Sequence, residues 1–370
     1  MMVFDSGVSN YIQMEGRRYS LFSGNNYLGL SSHPALKKAA RESLEKYGLN
    51  AAAARQTTGT ATVHLELEKE LSDFKRQEDT VVFASGYLGN GMLLHALRDQ
   101  YNEVFHDEAA HPSILDGLPR DIRRVHGYQH RDMQHLEDLL GEKRAGRPLI
   151  ISDGIFPLTG EIAPLDEMHS LAVKYGAVVV VDDAHATGVL GKNGTGTPEY
   201  FDLQDGGRIY QTDTMSKAIG AYGGFISSSQ DIINRIRESS RAFLSSTALP
   251  PHIVSAACTA VRLIREQPGL RDRLHRNTTE IRKGIALMGL PTTGTATPII
   301  PIFFRTLEKA RELSGYLKEN GMIVPCAQYP VVMDKFIVRI TVSAAHTPDQ
   351  IRDLLALIKQ WSSKHGVTEH

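Results

Sequence analysis

The feature that most constrains this chain is an uninterrupted apolar run, AVVVV at 177–181, that passes straight into DDAHATG. A strand with no polar alternation must be covered on both faces, the situation of a central strand in a parallel sheet. Two further runs behave alike: residues 81–83 lead into ASGYLGNG, and residues 149–152 lead into SDGIFPLTG. Between the strands at 149–152 and 177–181, residues 165–175 have helical period, with Leu165, Met168, Leu171 and Ala172 on one side. Asp166 and Glu167 sit near its N-terminal end, where carboxylates oppose the helix dipole. Short strands alternating with helices predict an α/β core. In open sheets of this kind ligands gather at the carboxyl ends of strands, so the three turns are expected to converge on one pocket.

After Pro250 and Pro251 the pattern changes. A long helix at 253–265 and further helix are followed by an apolar strand at 297–304 and a helix at 307–319. Strand pieces around Ile323 and at 336–342 and a closing helix at 348–361 complete the chain, which predicts a smaller α+β domain beginning near residue 250. A length of 370 residues accommodates two domains at about 150 residues each. Lys and Arg total 41 against 42 Asp and Glu, a net charge of −1, so no basic excess is available for nucleic acid. Hydrophobic residues at 41% and charged residues at 22% argue against wholesale disorder. Cys258 and Cys326 are too few for a disulfide framework or a thiolate cluster, though enough for one bridge, and fit a reducing compartment. No apolar run is long enough for a signal core or a membrane span, and the expected location, by default, is cytoplasmic.

The sharpest chemical signal is TDTMSKAIGAYGG at 212–224, in which Lys217 follows small hydroxyl residues and precedes glycines. A lysine amine can form a Schiff base with an aldehyde cofactor while nearby hydroxyls hold its phosphate; a surface lysine beside a flexible loop fits the same letters. Asp182, at the end of the apolar strand, is placed to face a pyridine nitrogen and keep it protonated, and His185 to hydrogen-bond the ring oxygen. A helix-capping Asp and a structural His are the plainer alternatives. A metal site ranks below both, because no second ligand cluster stands at suitable spacing. In ASGYLGNG, backbone N–H groups near Gly86 and Tyr87 can cradle a phosphate, although the segment matches neither GxxxxGK[ST] nor GxGxxG and is also an ordinary strand-to-helix turn. His111, in the polar loop HDEAAHPS, can stack on a flat ring or act as acid and base, in a chain whose 15 histidines are mostly ordinary. Arg339 lies in the apolar stretch KFIVRITVSAAHT, where a buried guanidinium needs a partner. A substrate carboxylate, a structural ion pair or solvent at a sheet edge would each satisfy it.

Taken together the ordered segments SGNNYLGLSSHP, TTGTATVHLELE, ASGYLGN, DEAAHPS, VVVDDAHATGVLG, TMSKAIGAYGG, SSTALPP and VRITVSAAHT resemble the α-oxoamine synthase family of pyridoxal-phosphate enzymes, from about residue 23 to 347. The resemblance implies the fold type I transferase architecture: a large domain with a mostly parallel seven-stranded sheet over 46–249, a small α+β domain over 250–370, and residues 1–45 packing with the small domain. It implies that Lys217 carries pyridoxal 5'-phosphate as an internal aldimine, that Asp182 pairs with the pyridinium, that His185 contacts the ring hydroxyl and that His111 stacks on the ring. Gly86 and Tyr87 would donate backbone N–H groups to the phosphate, Thr214 its hydroxyl, and Thr247 would reach the phosphate in the neighbouring subunit. Asn25 and Arg339 would hold the amino acid's carboxylate. The implied activity is the condensation of a small amino acid with an acyl-CoA, with loss of CO2, by a homodimer with shared active sites.

Three segments depart from the usual family pattern. SDGIFPLTG replaces EGVFSMDG, so Pro157 stands where a serine hydroxyl is usual. GLNAAAARQ replaces a Gly/Ser-rich stretch, and YPVVMDKFIVR replaces a Pro-Thr-Val-Pro-Gly pattern before Arg339. Transamination, racemisation or retro-aldol cleavage on the same cofactor is the alternative activity, since one carbanion serves them all. A cofactor-free subunit pairing with a catalytic partner is the non-enzymatic alternative, opposed by the joint presence of Lys217, Asp182 and His111.

Overall fold

The first element is a hairpin of β1 (Tyr11–Met14) and β2 (Arg17–Leu21), joined by Glu15 and Gly16 at φ of 53° and 74°. Two central residues of that hand match the twist of the flanking strands, which is why glycine stands in the turn. The computed structural model describes residues 2–142, 146–203, 208–327 and 336–365. The altered segment before Arg339 therefore lies largely outside the described residues, at 328–335.

Among the described residues seven strands follow: β3 (Asp79–Phe83), β4 (Glu103–Asp107), β5 (Arg124–Tyr128), β6 (Pro148–Asp153), β7 (Val178–Asp182), β8 (Ile209–Thr214) and β9 (Gly224–Ser228). They form one sheet in the order β3-β9-β8-β7-β6-β4-β5, parallel except for β9, which runs against both neighbours. Leu149 and Ile151 of β6 and Val178 and Val180 of β7 join one apolar cluster, while Ile150 and Val179 join another. That division follows the two-residue period of a strand, and it is why neither strand alternates with polar residues. The helix Leu165–Tyr175 covers the second cluster with Leu165, Met168 and Ala172, and ends where Gly176 turns left-handed at φ 69°.

The remaining strands are β10 (Ile299–Phe304), β11 (Met322–Ile323), β12 (Cys326–Ala327) and β13 (Phe336–Thr341). Among the described residues they build two three-stranded sheets, β1-β2-β11 and β10-β13-β12. Contacts divide the chain into two units: Met1–Ser32 with Pro157–Glu161 and Pro268–His370, and His33–Phe156 with Ile162–Gln267. The divisions fall at 32/33 and 267/268, where the sequence reading expects 45/46 and 249/250. The helix Pro251–Glu266 accounts for the second difference, because it packs on the helices Pro34–Tyr47 and Thr62–Lys75 of the sheet-bearing unit. Pro251 there occupies the first turn of a helix, where a missing N–H costs nothing, and marks no domain boundary.

Candidate active site

The carboxyl ends of β3, β4, β6, β7 and β8 open on one cavity of about 150 Å³. After β3, Ser85 caps a short 3-10 turn, Gly86–Leu88, by accepting the Tyr87 N–H at 3.4 Å. A Cβ on Gly86 would stand 2.7 Å from the Thr214 hydroxyl, so only glycine lets these two strand ends approach. Thr214 Oγ1 in turn lies 2.8 Å from Ser216 Oγ, and Lys217 follows on the same turn. Gly86, Tyr87, Thr214 and Lys217 thus line one wall together.

His111 caps the helix Pro112–Asp116 rather than lying in an irregular loop, with its Nδ1 accepting the Ser113 N–H at 3.3 Å and lying 2.7 Å from Ser113 Oγ. Burial pushes its pKa below that of a free imidazole, opposed in part by the Asp182 charge. The proton of the neutral ring accordingly sits on Nε2. Asp182 accepts the Ala184 N–H at 3.1 Å and the Asn90 amide at 2.7 Å. Asn90 is fully buried; its amide also donates to Ser113 Oγ at 3.0 Å, and its carbonyl accepts the Thr212 hydroxyl at 2.9 Å. A continuous hydrogen-bond chain therefore runs from Asp182 through Asn90 and Ser113 to His111.

Asp153 is the second carboxylate of the cavity and the register partner of Asp182 on the adjacent strand. Its Oδ2 accepts the His111 N–H at 2.8 Å. Burial, and next the charge on Asp182, hold its carboxyl well above the usual carboxylate range. The sequence reading misses Asn90, Ser113 and Asp153, although all three fall inside or beside segments it singles out. No local pattern reveals that an amide at 90 reaches a carboxylate at 182.

His185 is buried on the turn after β7 but is not among the residues lining the cavity. Thr247 is exposed, away from the lining, and bridges to Ala54 of the altered GLNAAAARQ segment. In the other unit Asn25 and Arg339 come together: Arg339 Nη2 donates to Asn25 Oδ1 at 3.3 Å, Nε to the Pro157 carbonyl at 2.7 Å and Nη1 to Thr341 Oγ1 at 2.7 Å. Among the described residues no cluster of three or more His, Cys, Asp or Glu could hold a metal ion.

The cavity fits pyridoxal phosphate on its donor set: an amine, a carboxylate aligned by two donors, a neutral imidazole, and a glycine turn beside two hydroxyls. The profile of aminotransferases of class I and II matches residues 18–358. A protein named 8-amino-7-oxononanoate synthase from Lysinibacillus sphaericus is 37% identical over 99% of this chain and 95% of its own. Another of that name, from Thermoanaerobacter pseudethanolicus, is 40% identical over 91% and 86%. Among solved structures, a serine palmitoyltransferase from S. paucimobilis with a bound PLP-myriocin adduct superposes with a TM-score of 0.94 at 30% identity, covering 99% of this chain and 93% of that one. An 8-amino-7-oxononanoate synthase from Francisella tularensis gives 0.80 at 26% identity, covering 94% and 98%.

Proposed function

The chain belongs to the class I and II aminotransferase family, among its pyridoxal-phosphate-dependent α-oxoamine synthases, and on that premise we propose how its residues condense a small amino acid with an acyl-CoA. Such an enzyme is an acyltransferase, and the expected product is an α-amino ketone after loss of CO2. The observation that carries the assignment of roles is that Lys217 and Asp182 line one cavity at the carboxyl ends of neighbouring parallel strands.

Bound pyridoxal phosphate supplies an electron sink, a protonated pyridine ring that takes up negative charge from the substrate Cα. Lys217 would carry it, Asp182 would hold its ring nitrogen protonated and His185 would meet its ring oxygen. Gly86, Tyr87 and Thr214 would take its phosphate, with Thr247 completing that site from the second copy. Once the substrate's amine has taken its place on the cofactor, the freed Lys217 Nζ would accept the proton from the substrate Cα. His111, uncharged and with its proton on Nε2, offers a flat face to the ring and one donor to oxygen that gains charge as the thioester is attacked. Asn25 and Arg339 take the amino acid's carboxylate. On this reading the protein works as a cytoplasmic homodimer, and no helix among its described residues is long and apolar enough to cross a membrane.

The test is release of CoA thiol from acyl-CoA donors with a panel of amino acids. Amino-acid-dependent thiol release that disappears in Lys217→Ala, together with the visible absorbance of the bound cofactor, is the expected result. Formation of keto acids from amino acids without any acyl-CoA would overturn it.

A further inference from the structure

Arg339 has a seat built by residues distant in sequence. Its partners are the carbonyls of Pro157 and, at 3.5 Å, Gly24, the hydroxyl of Thr341 and the amide oxygen of Asn25, with the buried Tyr27 hydroxyl, whose pKa burial pushes up to about 12, beside it. All are uncharged, and among the described residues no carboxylate neutralises the guanidinium. A cation oriented by neutral acceptors keeps its charge for an anionic ligand.

The Pro157 carbonyl belongs to a strap, Pro157–Glu161, that is part of the same unit as Arg339. Three threonines pin the strap: Thr293 Oγ1 donates to the Thr159 carbonyl at 2.9 Å, and Thr295 and Thr297 both donate to the Gly160 carbonyl, at 2.8 and 2.6 Å. Gly160 adopts φ 68°, and a Cβ there would stand 2.3 Å from the Ile299 carbonyl, so the close approach requires glycine. Arg282 braces the threonine segment, with Nη1 on the Thr293 carbonyl at 2.7 Å and Nη2 on the Thr297 and Ile299 carbonyls at 3.0 and 2.8 Å. The segment runs directly into β10, which pairs with β13 so that Pro301 faces Arg339. The strap is thereby fixed at one end to the start of β10 and meets, at the other, an arginine on the strand paired with β10.

We propose that the threonine clamp at 293, 295 and 297 positions Arg339 for the amino-acid carboxylate by fixing the Pro157 carbonyl, which makes Thr297 and Gly160 positioning residues for substrate binding. The inference rests on the reading that Arg339 takes that carboxylate. The contact uses a backbone oxygen, so replacing the usual serine by Pro157 leaves this function intact.

The test compares Thr297→Val, Thr295→Val, Thr297→Ser and Arg339→Ala as holoenzymes, reading amino-acid KM and kcat, amino-acid affinity by calorimetry, cofactor dissociation and thermal unfolding. Losing one clamp bond is expected to raise KM and weaken amino-acid binding about 5-fold, with kcat and cofactor dissociation within about 2-fold of wild type. Thr297→Ser restores the hydroxyl and the KM. Thr295→Val keeps the test alive if Thr297→Val fails to fold, because Thr295 is only half-buried. Unchanged KM in the valine variants while Arg339→Ala raises it overturns the clamp alone. Unchanged KM in Arg339→Ala overturns the reading of Arg339 itself.

Discussion

Asp153 and Asp182 end adjacent strands in the same register and face the same cavity, yet their surroundings differ. Asp182 receives the Asn90 amide and the Ala184 N–H. Asp153 receives one N–H, from His111, and burial beside Asp182 raises its pKa. A neighbouring negative charge adds to burial in disfavouring the ionised form of Asp153, and a single donor does little to offset them. Asp153 is therefore the carboxyl of the two that burial pushes toward its neutral form, and its work is to accept the His111 N–H. Asp153→Asn keeps an acceptor without charge, so its kcat/KM is expected to stay within about 3-fold of wild type, whereas Asp182→Asn removes the fixed charge and should lose about 100-fold or more. Steady-state kinetics of the two variants check this; an equal collapse in both would mean that Asp153 works as an anion.

The turn after β13 is tied to the end of β2 through His346. Its Nδ1 accepts the Ser343 N–H at 3.0 Å, its Nε2 donates to the Leu21 carbonyl at 2.9 Å, and its ring stacks on Phe22 with centroids 4.0 Å apart. Protonation at Nδ1 would set a donor against a donor, and burial lowers the pKa from 6.5 to about 4. Between those values the unfolded chain binds more protons than the native one. The contribution is therefore complete above about pH 6.5 and falls away as pH drops through about 4, by about 3 kcal/mol in all. Asp183, raised to about 6 by burial, changes stability in the opposite sense over much of that range, so the whole-protein profile mixes both. The difference between wild type and His346→Asn isolates one group: the wild-type advantage in denaturant unfolding at pH 7.5 should shrink toward pH 4. An advantage that stays constant with pH would mean His346 is not held neutral.

The same elements separate what the letters alone reveal from what they do not. Helices at 165–175 and 307–319 were legible to their last residues, because each carries an apolar stripe between clear boundaries. Strand β5, RVHGY, was not: it is the sheet's edge, largely exposed, and has no apolar run to betray it. The pair Pro250 and Pro251 misled in the other direction, since a proline at the start of a helix looks locally like a break between domains. In the cavity, residues offered by strand ends were legible because an ionisable side chain at the end of an apolar strand is unusual. Asn90 and Asp153 were hidden because their partners lie 92 and 42 residues away, and only the register of the sheet brings them together.

Thr247 is exposed, in a chain whose family resemblance gives it a phosphate to bind. The residues that follow it, Ala248 and Leu249, are buried and its backbone bridges to Ala54, yet Thr247 itself is exposed and is not among the residues lining the cavity of its own chain. If it serves the phosphate site of a second copy, each site in a two-fold dimer takes Lys217 from one chain and Thr247 from the other. A mixture of two inactive variants then regains function. In a hybrid of Lys217→Ala and Thr247→Val chains, the site built on the intact Lys217 receives an intact Thr247 from its neighbour, while the other site lacks both. Random re-pairing of equal amounts makes half the dimers hybrid with one complete site each, so about a quarter of wild-type sites should return. Refolding the two variants together and separately, and comparing both turnover and the number of sites retaining cofactor on gel filtration, measures that fraction. Activity of the mixture that merely averages the two separate preparations would place Thr247 in no shared site, and would leave the exposed threonine as a feature of the single chain.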